Sequence, residues 1–242
     1  MRIRKLAAAV VAGTALAGAA AIAAPAGASS QPPSIVAALA ASAADNPAGS
    51  ATDRNWSDFD ILLAAASNLP FDAFDANSPT LAAALTGFTG TVFAPADASF
   101  RGLVADLTNT PIWKLSESDV LNTLLAIAGN PDLNGTGIPG KAALSETVRY
   151  HVTGQQLPNL RDAARAGTTV TTLTQLPALG LSDGKFKLRG PVFGLVGMND
   201  DDPTDLDPFW FGQTIRTADG GTIHAIAGVL RPLDLKVLFP ND

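Results

Sequence analysis

Two histidines, a tyrosine beside one of them and a run of aspartates are the side chains in this sequence best suited to chemistry. His151 follows Tyr150 in "VRYHVTG", and His224 stands in "GTIHAIAGVL", each among apolar neighbours. An imidazole can act as a general base, a metal ligand or a buried hydrogen-bonding post. As the partner of a nucleophile His151 would need a serine or threonine on a strained turn, and the chain has no G-x-S-x-G stretch. Metal binding by both imidazoles would need a third ligand and convergence of the two. A buried imidazole donating to a backbone carbonyl needs only one partner, and could join a helix end to a strand start. The structural reading therefore leads for both. No catalytic residue, metal ligand or cofactor is assigned, and Tyr150 and His151 are kept as candidate ligand contacts.

The aspartates lie in "NDDDPTDLD", from Asn199 to Asp207. Calcium favours carboxylate oxygens clustered on a flexible loop, but the spacing is not D-x-[DN]-x-[DN]-G and Pro203 interrupts it. A solvated loop is the simpler reading, with Asp201 and Asp205 as candidate contacts and weak or no calcium binding expected. "PFWFG" follows, and strand alternation must point Trp210 opposite to Phe209 and Phe211. Exposed, Trp210 would anchor a partner; covered, it would be core, and the sequence leaves both open.

Elements able to position these groups can be read from periodicity. In "WSDFDILLAAASNL", Ser57 and Asp60 make a capping-box pattern and Phe59, Leu62, Leu63 and Ala66 share a helical face. "SPTLAAALTG" signals a second helix, with Ser78 as cap, Pro79 in the first turn and Gly87 past the end. A strand at 91 to 94 is closed by Pro95, after which Asp97 caps a helix striped by Phe100, Leu103, Val104 and Leu107. "SESDVLNTLLAIAG" repeats the capping pattern at Ser116 and Asp119, with Val120, Leu121, Leu124, Leu125 and Ala128 as its apolar face. Residues 130 to 140 carry repeated Pro and Gly stops and read as a surface loop. Beyond Gly167 the period becomes two, in "TTVTTLTQ", "LGLSDGKFKLRG", "PVFGLVGM", "FWFGQTIRT" and "GTIHAIAGVLRP". Helices first and strands later predict an α+β domain, its helices packed against a largely antiparallel sheet.

The N-terminus reads differently. Arg2, Arg4 and Lys5 precede an uncharged stretch from Leu6 to Ala24, and Ala26 and Ala28 form an A-x-A cleavage pattern, so 1–28 reads as a signal peptide. Residues 29–55 read as a flexible Ala/Ser/Pro-rich lead-in, although Ile35, Val36 and Leu39 could form one apolar turn. Of 16 basic and 22 acidic residues the leader removes three basic ones, which takes the formal charge from −6 to −9 and argues against nucleic acid as a partner. With no cysteine, disulfides and thiolate sites are excluded. The C-terminal "LKVLFPND" has no apolar tail, so the expectation is a secreted chain without a membrane span.

Three segments carry a resemblance. "TVFAPADASF" at 91–100, "YHV" at 150–152 and "GTIHAIAGVLRP" at 221–232 occur in the order of the conserved blocks of the fasciclin (FAS1) domain. The similarity runs from about Asp58 to Leu238, within a domain drawn at 56–240, and implies a single fasciclin-like domain, helices against a sheet wedge, with longer loops than usual. There are departures. Ala227 stands where the family often has Asp, and "DGG" at 219–221 is a residue longer than the usual turn. The Asp-Ile pair linked to integrin recognition in some animal members is not carried over, since Thr214 precedes Ile215. The resemblance implies a non-catalytic adhesion or interaction module at the cell surface or in extracellular matrix, its partner a protein, polysaccharide or cell-surface ligand. An apolar small ligand such as a carotenoid, held beside Tyr150 and Trp210, is the alternative. Binding is expected on exposed loops, with Trp210, the acidic stretch and the loop around Asn134 as candidates.

Overall fold

A computed structural model describes residues 31–42, 55–72, 74, 75, 77–176, 182–192, 194–200 and 207–232. The signal-peptide reading at 1–28, Asp201 and Asp205 lie outside these residues. No helix among the described residues is long and apolar enough to cross a membrane.

The lead-in expectation needs correction at 35–42. Those residues form a helix, α1 (Ile35–Ser42), whose Ile35, Ala38 and Leu39 are buried in the main core. Three apolar side chains one turn apart give a short segment enough buried surface to offset its ordering, which Ala-rich composition conceals. Next come α2 (Asp60–Asn68) and α3 (Leu81–Ala84), both differing from the predicted caps. Ser57 bonds to Asn55 rather than to the start of α2, and Thr80 instead of Ser78 accepts from the Ala83 N–H to cap α3. Asp97 is the first residue of α4 (Asp97–Thr108), and its Oδ1 accepts from the Ile61 N–H at 3.1 Å, joining α4 to α2. The predicted stripe of Phe100, Leu103, Val104 and Leu107 is buried. In α5 (Glu117–Gly129) the capping box between Ser116 and Asp119 is formed as expected, while Leu125, expected on the apolar face, is exposed. Helices α6 (Gly140–Tyr150) and α7 (Leu160–Arg165) complete the helical set among the described residues.

The strands are β1 (Thr91–Pro95), β2 (Val152–Thr153), β3 (Thr169–Thr171), β4 (Lys185–Val192), β5 (Leu195–Asn199), β6 (Phe209–Arg216) and β7 (Thr222–Ala227). They form one sheet in the order β2-β1-β7-β6-β5-β4-β3, antiparallel throughout except for the parallel β1–β7 pair. This is the expected combination of helices and a largely antiparallel sheet. The sheet curls until its end strands meet, where Thr153 Oγ1 donates to the Thr171 carbonyl at 2.6 Å and the Leu173 N–H to the Val152 carbonyl at 2.8 Å. Curling leaves two cores. Val92, Ala94, Ile223 and Ala225 face the helices, while Phe93, Tyr150, Phe186, Leu188, Val196, Met198, Trp210 and Ile226 fill the inside of the curl. Strands β1 and β7 are buried on both faces, so they read as continuous apolar runs; β4, β5 and the first residues of β6 have one face free and alternate.

Candidate functional site

Both imidazoles are used up by hydrogen bonds to the groups around them. His151, at the C-terminal end of α6, donates from Nδ1 to the Thr147 carbonyl at 2.7 Å and accepts at Nε2 from the Leu230 N–H at 2.9 Å. This fixes a neutral ring with its proton on Nδ1, and burial pushes its pKa down to about 4. His224, in β7, has the opposite tautomer. Its Nε2 donates to the Leu157 carbonyl at 2.7 Å and its Nδ1 accepts from the Thr214 hydroxyl at 2.8 Å, and burial again lowers the pKa. The carbonyl bond expected of His151 is present, and the second bond ties the helix end to the segment after β7. Neither ring keeps a free lone pair for proton abstraction or metal binding.

Tyr150 and Trp210 share the inner core. Tyr150 is fully buried and its hydroxyl donates to the Lys185 carbonyl. Trp210 is 7% exposed, its indole N–H donates to the Gln213 carbonyl at 2.8 Å, and Arg161 covers its ring at 5.4 Å. The open question about Trp210 is thus answered in favour of core. Its register partners Val196 and Ile226 both point inward, so alternation turns Phe209 and Phe211 outward instead. The solvated-loop reading of the acidic run holds only for part of what is described: Asp207 is exposed, whereas Asp200 is buried and accepts from the Arg231 N–H at 2.8 Å.

Sequence reasoning missed a buried acidic cluster. Asp58, Asp60 and Asp97 are all buried and can each offer an oxygen within 4.8 Å of the others, the one group among the described residues with the geometry to hold a cation. Burial first, then Asp58 beside it, pushes the Asp97 carboxyl up to about 9, which favours its protonated form at neutral pH. Asp60 and Asp97 read as ordinary caps in sequence, and only the α2–α4 packing brings them together. A second buried charge group is structural: Glu146 holds Arg149 at 2.8 Å and accepts from the Thr174 hydroxyl and the Gln175 N–H, both at 2.6 Å, while Arg149 lies 4.7 Å over the Phe71 ring.

The exposed groups converge elsewhere, on the outer face of the sheet. Phe209 is 39%, Phe211 43% and Leu195 40% exposed. Gly197 lies between Phe209 and Arg189 in the cross-strand register. Lys185, Lys187 and Arg189 are exposed at alternate positions of β4, with Phe186 and Leu188 buried between them. The alternating "KFKLRG" carried the signal for this row; what sequence could not supply is the register that sets it beside the phenylalanines. A separate exposed pair, Ile112 and Trp113, stands in the short turn before α5. The loop around Asn134 includes a single 3₁₀ turn at Leu133–Gly135. Comparison with protein-family models and with curated proteins returns no match.

Proposed function

We propose that the chain is a secreted, fasciclin-like, non-catalytic binding module that engages a cell-surface or matrix partner. One observation carries the non-catalytic part: both histidines are neutral, buried and hydrogen-bonded at both ring nitrogens, so each serves the scaffold. The fasciclin reading gains support from where its three blocks lie. "TVFAP" is β1, "YHV" runs from the end of α6 into β2, and "TIHAIA" is β7, so the blocks form three neighbouring strands, β2-β1-β7, at one end of the sheet. The exposed aromatic side chains on rigid strands supply contact surface at low entropic cost, as binding modules require.

The apolar-ligand alternative receives no such support, since Tyr150 and Trp210 are packed into the inner core. The test is a panel of ester, peptide, glycoside and polyuronate substrates run beside binding assays on cells, matrix polymers and pigments. The expected result is binding without turnover. Turnover abolished by His151→Ala in a still-folded protein would overturn the reading.

A further inference from the structure

The row of Lys185, Lys187 and Arg189 has no obvious structural duty. Lysines on an edge strand protect against unwanted strand pairing, but β4 lies between β3 and β5 and is not an edge. None of the three makes an ion pair among the described residues; the ion pairs there use Arg149, Arg165 and Arg231. Their cross-strand partners are Thr171 for Lys185, Thr169 and Asn199 for Lys187, and Gly197 for Arg189, with no acid among them. Alternate residues of a strand stand about 6.8 Å apart, so three like charges are held in line at that spacing. This is a mutual repulsion that the fold tolerates in a chain of net charge −6.

Beside the row lies an apolar platform. Gly197 is directly opposite both Arg189 and Phe209, and a Cβ added there would sit 3.8 Å from the Arg189 Cβ. Its missing side chain leaves no side chain on this face between the Arg189 and Phe209 positions. Leu195 and Phe211 extend the platform along the same face, and β4 and β6 are about 10 Å apart, the width of two strand spacings. A ligand suited to this face has anionic groups along one side and flat apolar patches along the other. Sugar rings offer C–H faces to phenyl rings, and uronic acids add carboxylates.

We propose that the outer face of β4 to β6 is a docking surface for an acidic polysaccharide, with Lys185, Lys187 and Arg189 pairing to carboxylates and Phe209 and Phe211 lying against the rings. The proposal rests on the reading of the chain as a binding module, and not on its family. Nucleic acid fits less well. A phosphate backbone carries a charge on every nucleotide and draws its affinity from a long basic track, whereas this track is three cations long on an acidic chain. A polymer with sparser charge needs only a local cationic row plus stacking.

The experiment measures binding of the full chain to immobilised polygalacturonate at low and moderate salt, with dextran and single-stranded oligothymidylate as comparators. The variants are Lys187→Gln/Arg189→Gln, Phe211→Ala, and a control, Lys114→Gln/Lys141→Gln, which removes two exposed helix cations and changes net charge equally. Expected are binding to polygalacturonate and none to dextran, with a loss on the order of tenfold in the sheet double variant. The helix control should bind as wild type, and Phe211→Ala should weaken binding while keeping its salt dependence. Unchanged melting temperatures show that all variants fold. Equal loss in the helix control, tighter binding to oligothymidylate, or binding to dextran overturns the proposal. Polygalacturonate binding that ignores the sheet variants overturns this surface and leaves the binding-module reading standing. Release of reducing ends from polygalacturonate refutes the binding-module reading itself.

Discussion

Replacing Asp97 by Asn isolates one proton in the folding equilibrium. The Asp97 carboxyl is fully buried, and its pKa is pushed from 3.8 up to about 9 by burial and then by Asp58 and Asp60 beside it. Unfolding returns it to the ordinary aspartate range, near 3.9. Between those two values the folded chain keeps a proton that the unfolded chain has shed, so stability is lost as pH rises through the window. One proton gives a slope of at most about 1.4 kcal/mol per pH unit. From pH 5 to 7.5 the wild type therefore loses about 3 kcal/mol through this group. Asn removes that dependence at nearly unchanged size, because its carbonyl can accept from the Ile61 N–H and its uncharged amide lies beside Asp58 without a charge to repel it. The assay is urea unfolding of both proteins at half-unit steps from pH 5 to 8.5, with the stability difference plotted against pH. Both histidines titrate alike in the two proteins and cancel. The variant should match wild type near pH 5 and exceed it by about 3 kcal/mol at pH 7.5. A flat difference would refute the protonated acid, and a variant less stable at neutral pH would show that the three carboxylates are ionised and held by a cation.

The other predictions concern single contacts. His151→Ala leaves the Leu230 N–H and the Thr147 carbonyl without their buried partner and should cost about 1–3 kcal/mol plus packing, measured by chemical denaturation at pH 7. Glu146→Ala strands the buried Arg149 guanidinium and should cost about 3–5 kcal/mol, whereas Lys114→Gln on the exposed turn should change nothing measurable by the same assay. Ile35→Ala should lower stability by about 2–5 kcal/mol, since its side chain is fully buried against the main core; a variant that melts with wild type would mean that α1 does not belong to the fold in solution.

What was legible in the sequence divides along a physical line. Local rules act within a few residues, so the Ser116–Asp119 box, the α4 stripe and the period-two strands could be read directly. The misassigned caps show the limit of those rules. Ser57 and Ser78 sit in cap-like patterns, but packing of α2 against α4 and the pairing of Pro70 with Thr80 set the helix starts elsewhere. Register was out of reach as well. Phe209 and Trp210 are equally apolar, and only the pairing of Trp210 with Val196 and Ile226 decides which one turns inward. The acidic cluster failed for the same reason, since Asp97 lies 36 residues from Ile61 and meets α2 only in the folded chain.

The buried histidine and the buried acid oppose one another, and their overlap gives the wild type a distinctive pH profile. His151 is held near 4 in the folded chain against about 6.5 unfolded, so between those values the unfolded chain binds the extra proton and stability rises with pH. Asp97 does the reverse over the same interval, at the same limiting slope of about 1.4 kcal/mol per unit. From about pH 4.5 to 6.5 the two nearly cancel, with His224, also lowered, tipping the balance upward. Above about 7.5 the imidazoles are nearly all neutral in both states and Asp97 acts alone, so stability should decline from there towards about pH 9. Each variant then has a diagnostic shape: Asp97→Asn should rise and level off above about 7.5, and His151→Ala should fall more steeply than wild type between 4.5 and 6.5. A wild-type curve that climbs from about pH 7.5 to 8.5 would contradict the assigned protonation of Asp97. Uronate carboxylates are ionised above about pH 5, and neither Asp97 nor His151 lies on the β4 to β6 face. Polyuronate affinity should accordingly stay level from pH 5.5 to 8 while stability bends, which separates the chemistry of the surface from that of the core.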